Sequence, residues 1–132
     1  MPRMLGVWMN INNPSRTTSQ DLNLTVGGTI LLSEADVRKL VKGDLFKVDI
    51  RVFDDDSITA DDQLKADNSF SVGVHDTNPK CFHVGVIVPH GKLNDCESFW
   101  DDWAEVYCRV FAKTSNLQTN AANSQTEKVR ID

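Results

Sequence analysis

The stretch Phe53-Asp-Asp-Asp-Ser-Ile-Thr-Ala-Asp-Asp62 places five aspartates within nine residues: Asp54, Asp55, Asp56, Asp61 and Asp62. Carboxylates at this density repel one another unless water, basic side chains or a cation offset the charge. Two kinds of chemistry fit. Hard cations such as Ca2+ take six to eight oxygens, largely from carboxylates and backbone carbonyls on a loop that curls around the ion. Aspartate is also favoured in ordinary turns, where it bonds to its own backbone, and charge at a strand end discourages edge pairing. A turn needs one or two such residues, and this segment has five. The count favours the cation.

The cluster directly follows the run Leu45-Phe-Lys-Val-Asp-Ile-Arg-Val-Phe53. Its alternation is the period-two pattern of a half-buried strand, with Phe46, Val48, Ile50 and Val52 facing one way. Asp54 and Asp56 continue that row past the strand's end, so their carboxylates are expected above the edge of the core. Asp62 returns from the far side of a short loop. An EF-hand does not fit, because a loop counted from Asp54 puts Thr59 where glycine is required and Lys65 where the bidentate glutamate belongs.

The spacing Asp54-x-Asp56-x5-Asp62, after an apolar strand and followed by x-Leu64, resembles the third calcium-binding loop of C2 domains. The resemblance spans residues 48–64. It implies that Asp54, Asp56 and Asp62 ligate Ca2+, with Asp55 and Asp61 as further ligands or support, and that the loaded tip meets an anionic lipid headgroup. It also implies an eight-stranded β-sandwich. Lys65 stands where the family usually has glycine, and the first connection of this chain offers Asp21 as its one acidic residue.

Elements able to position such a loop can be read along the chain. Alternation marks strands at Leu5–Ile11 (Leu5, Val7, Met9 and Ile11 inward) and Leu22–Leu32, the second interrupted by a bulge or turn at Gly27-Gly28. Further strands follow at 45–53, 69–74, 81–89, 104–113 and 127–131. One helix is expected over about 34–42, capped by Ser33 with Asp36 at the capping-box position, with Val37, Leu40 and Val41 on one face and Gly43 beyond its end. The polar run Thr114–Thr126 reads as a long flexible hairpin loop. The pattern predicts an all-β fold: an antiparallel β-sandwich of about seven to eight strands with one short helix, in a single domain over residues 1–132. Alternating strand direction then brings the first, third and fifth connections to one end.

The fifth connection holds the second unusual stretch, Ser98-Phe-Trp-Asp-Asp-Trp103. Phe99, Trp100, Asp101 and Asp102 are candidate ligand-contacting residues, since exposed aromatics beside acids can stack on a sugar, enter a membrane interface or anchor a protein. Trp103 is expected to plug the end of the sandwich.

Composition narrows the classes. At 132 residues and a net charge of -5, the chain lacks the basic face that phosphate binding needs, so nucleic acid is not an expected partner. No apolar run approaches a membrane span and no signal-peptide pattern opens the sequence, so the chain reads as cytosolic. Cys81, Cys96 and Cys108 show no zinc-type spacing and read as free buried thiols, with one disulfide plus a spare thiol as the alternative. His83 shares a phase with Cys81, without a third ligand at a defined spacing; the histidines read as hydrogen-bonded or surface groups. No nucleophile–base–acid set and no phosphate loop is present. The expectation is a non-enzymatic, calcium-binding β-sandwich whose tip recognises a lipid headgroup, a glycan or a protein. The alternatives are a structural β-sandwich forming a homo-oligomer, through the outward row Tyr107, Arg109 and Phe111, and a small calcium-dependent lectin.

Overall fold

The structure, a computed structural model, describes residues 1–55, 62–94 and 103–131. Two antiparallel sheets pack face to face. The smaller has the order β1-β2-β5, from β1 (Arg3–Ile11), β2 (Leu22–Leu31) and β5 (Lys80–Val88). The larger has the order β4-β3-β6-β7, from β3 (Phe46–Asp54), β4 (Asp62–Val72), β6 (Trp103–Lys113) and β7 (Ala122–Asn123), with β8 (Glu127–Arg130) also paired to β6. The all-β sandwich read from strand alternation is therefore observed.

Alternation builds the core. Phe46, Val48, Ile50 and Val52 of β3 are all fully buried, and Val106, Cys108, Val110 and Ala112 of β6 lie beside them. From the opposite sheet Leu22, Leu24, Val26 and Ile30 complete the interior. Phe70 and Phe82 meet edge to face across the two layers, 5.5 Å between centroids.

The first strand departs from its simple alternation. Met4 and Met9 are the buried residues of β1, whereas Leu5, Val7 and Ile11 are half-buried. The register slips between Leu5 and Trp8, where Gly6 adopts φ +56°. Only glycine takes that conformation without strain, and the resulting bulge moves the inward phase by one residue. Gly27-Gly28 is not a break either: β2 runs through both. Gly27 stands opposite Trp8, and a Cβ there would lie 2.3 Å from the indole ring. The glycine exists to seat that ring.

The helix is shorter than its pattern. Ser33 and Asp36 form the expected capping box, but α1 covers only Glu34–Arg38, and Val41 is exposed while Val37 and Leu40 pack on the core. A second five-residue helix, α2 (His90–Asn94), brings Leu93 fully into the interior.

The polar run 114–126 is not a loose hairpin loop. Leu117, Thr119 and Ser124 are buried. Thr119 and Ser124 use hydroxyls where a strand would use carbonyls: Thr119 Oγ1 accepts from Ala112 N, and Ser124 Oγ accepts from Cys108 N, at 2.9 Å each. On the other side Asn120 grips the edge of β1, accepting from Met4 N at 2.9 Å and donating to Met4 O at 3.2 Å. Gln125 Nε2 donates to Met9 O at 2.6 Å. The segment closes the gap between the two sheets with side-chain hydrogen bonds, which a reading based on apolar periodicity does not register.

Two stability measurements follow from these contacts. Asn120→Ala leaves two backbone groups of Met4 without partners and should cost about 1–3 kcal/mol in chemical denaturation. Gly27→Ala should cost about 1–3 kcal/mol through overpacking, and less in a Trp8→Ala background, where the clash is absent.

Candidate functional site

The acidic end is positioned by strand register. Asp54 is the last residue of β3 and continues the inward row, with 8% exposure. Its backbone pairs with Val106 of β6 on one side and with Asp62, the first residue of β4, on the other. The two aspartates are thus cross-strand neighbours, where Cβ atoms ordinarily lie about 4.5–5.5 Å apart. The side chain of Asp62 lies outside the described part. Asp55 is exposed, and its amide donates to Glu105 O at 2.6 Å, which extends the β3–β6 pairing one step beyond Asp54. Asp56, Asp61, Phe99, Trp100, Asp101 and Asp102 lie outside the described residues. Among the described residues no group of three or more His, Cys, Asp or Glu could hold a metal ion.

The first, third and fifth connections leave the sandwich at one end, as strand alternation requires. Ile11 pairs with Leu24, and Val88 with Leu22, so β1 ends where β2 begins and where β5 ends. Trp103, at the start of β6, pairs with Arg130, three residues from the Val106 that meets Asp54. Side chains tie the connections together. Asp21 Oδ1 accepts from both the amide and Nδ1 of His90, 3.0 Å each, joining the first connection to the fifth. The half-exposed Arg16 donates to the carbonyls of Thr17 and Gln20, and also to that of Arg130. The hydrogen bonds from His90, backbone first and ring second, hold the Asp21 carboxyl below its ordinary value.

A cleft of about 180 Å³ opens at this end between Ile11, Leu22, Trp103 and Val129, rimmed by Arg16, Lys128 and Arg130. Trp103 does not plug the sandwich. It is 45% exposed on the outward face, with the Arg130 guanidinium 5.8 Å over its ring. Its neighbour Ala104 carries the inward phase, and Leu93 of α2 fills the interior instead.

The remaining candidates separate cleanly. Cys81 and His83 do share the outward face of β5, both exposed, so Cys81 is not the buried thiol expected of it. Cys108 is buried, its Sγ 3.3 Å from Met9 Sδ, and burial pushes its thiol up to about 12. Such a thiol is inert. Cys96 lies outside the described residues. His90 is hydrogen-bonded; His75 and His83 are at the surface. No helix among the described residues is long and apolar enough to cross a membrane.

No protein-family model matches this chain, and no curated protein does. A solved structure described as "X-ray structure of Northeast Structural Genomics Consortium target SoR45" aligns over 98% of this chain and 85% of its own, at 10% identity and a TM-score of 0.43.

The Asp21–His90 contact makes a pH prediction. A carboxyl whose folded value lies below its unfolded one contributes stability above the unfolded value, and that contribution is lost as pH falls through the folded value. Carboxyl-detected NMR should therefore place the Asp21 midpoint below 3.8. In His90→Ala, which removes the ring bond and keeps the backbone one, the midpoint should rise part of the way back.

Proposed function

We propose that this protein is a non-enzymatic β-sandwich binding module whose acidic end takes Ca2+ through Asp54, Asp56 and Asp62, with Asp55 and Asp61 in support. The observation that carries the reading is the β3–β4 register, which sets Asp54 and Asp62 opposite each other where the buried row of β3 runs out. A divalent ion between facing carboxylates takes oxygens from both and offsets their repulsion. The ion would relieve the repulsion within residues 54–62, order the connection around itself and offer its remaining coordination positions to a partner's oxygens. Convergence of the first and fifth connections on the same end supports a composite recognition surface, in which Phe99, Trp100, Asp101 and Asp102 contact the ligand. An anionic lipid headgroup, a glycan hydroxyl pair or a protein carboxylate has the oxygens that such an ion accepts.

Thermal melting with and without calcium tests this. Millimolar Ca2+ should raise the melting temperature by about 5 °C or more, the size expected when ligand exceeds its dissociation constant by tens of times. Mg2+, which demands a tighter octahedral shell, should give a smaller shift. Asp54→Asn combined with Asp56→Asn should abolish the calcium response. A wild-type melt that calcium leaves in place, or an equal shift in the double variant, would overturn the reading.

A further inference from the structure

The outward face of the larger sheet carries charge in an arrangement that strand pairing does not favour. In the β3–β6 register, Lys47 stands opposite Lys113 and Arg51 opposite Arg109. Like charges directly opposite on one face oppose pairing. Here two such pairs occur on the same two strands, about 13 Å apart at the usual rise per residue. Asp49 lies between them and pairs with Arg51 at 3.3 Å; among the described residues it is the one carboxylate bonded to these four cations. The flanking outward residues Ser69, Ser71 and Asn123 are uncharged. Among the residues whose side chains are described, four cations on this face of a chain of net charge -5 thus meet one carboxylate; the side chain of Asp67, next to Ser69 in the outward phase of β4, lies outside that part.

The two arginines are also held in place. Arg51 lies 5.7 Å over the Phe111 ring and bonds Asp49 through Nε. Arg109 lies 5.0 Å over Phe53 and bonds Asn123 Oδ1 through Nε at 3.1 Å. In both cases the ring and the Nε bond fix the guanidinium plane, and the terminal nitrogens make no other hydrogen bond among the described residues. A fixed fork of terminal N–H donors matches a carboxylate bidentately.

We propose that this face docks an acidic segment of a partner protein, whose carboxylates meet the two cation pairs. A polyphosphate chain fits less well: the net negative charge repels it at long range, and guanidiniums already cover the rings on which bases would stack. A second copy packed face to face about a two-fold axis would set these cations against their own images. An acidic protein segment needs only local complementarity, and arginine with aromatic side chains is the combination enriched at protein interfaces.

The test titrates the full chain with a decaglutamate peptide at low and at raised salt, following backbone amide shifts, with a single-stranded decathymidylate in parallel. The peptide should shift amides of β3 and β6, bind more weakly as salt screens the contact, and bind more tightly than the oligonucleotide. Arg51→Gln with Arg109→Gln should weaken it by about fivefold or more, as loss of two charge-assisted contacts implies. If that variant fails to fold, Lys47→Gln with Lys113→Gln, at exposed positions that touch no ring, should give a loss in the same direction. The proposal is overturned by absence of peptide binding at low salt, by binding indifferent to the variants that fold, or by tighter binding of the oligonucleotide. It is equally overturned if light scattering finds a dimer that these substitutions dissolve, which would assign the face to a second copy.

Discussion

The strict two-residue period of β3 is the constraint on which the rest of the molecule depends. Phe46, Val48, Ile50 and Val52 have no exposed surface, so the strand cannot slip by one residue without turning its whole apolar row to water. It is also paired on both edges, to β4 and to β6. That single phase therefore decides two surfaces at once. The inward row runs on to Asp54 at the end of the core, and the outward row presents Lys47, Asp49, Arg51 and Phe53 to the opposite face. Neither charged region can be repositioned without dismantling the interior.

Because β6 is locked to β3 over eight consecutive pairs, from Lys47–Lys113 to Asp54–Val106, its own outward side chains are placed by the same constraint. Facing cations are retained at two positions of that register, and at one of them Arg51 lies over Phe111 and Arg109 over Phe53, which stacks on Tyr107 at 5.5 Å. The rings offset part of the repulsion by attracting the guanidiniums. The chain is consequently polarised in an unexpected way for its net charge: carboxylates gather where β3 ends, and cations gather along its outer face. Under the two proposals the binding chemistry at these places is of opposite sign, a cation at the tip and an acidic segment on the flank.

The smaller sheet shows how polar residues complete what apolar periodicity begins. Beyond β1 the sandwich would stand open, with the amide and carbonyl of Met4 and the carbonyl of Met9 facing outward. Asn120 and Gln125 satisfy them, while Thr119 and Ser124 satisfy the opposite strand, β6. A segment with two alanines and one leucine among asparagines, threonines and serines looks unfoldable by hydrophobicity. It is ordered because each of those four polar side chains replaces a missing strand partner, and buried backbone groups left without partners are costly.

Strand alternation was enough in the sequence alone to determine the sandwich, the core row of β3 and the return of three connections to one end, because burying one face of a strand leaves a mark at every second residue; the spacing of Ser33 and Asp36 likewise marked the capping box. The bulge at Gly6, the seat of Trp8 over Gly27, the outward turn of Trp103 and the closure by residues 117–125 left no such mark. They depend on which residues stand opposite each other across strands far apart in the chain, and only the tertiary structure decides that. The same holds for the two sites. Five aspartates were visible as a string, but the pairing of Asp54 with Asp62 across strands is a matter of register. The facing of Lys47 with Lys113 and of Arg51 with Arg109 joins positions more than fifty residues apart, and no period within either strand encodes it.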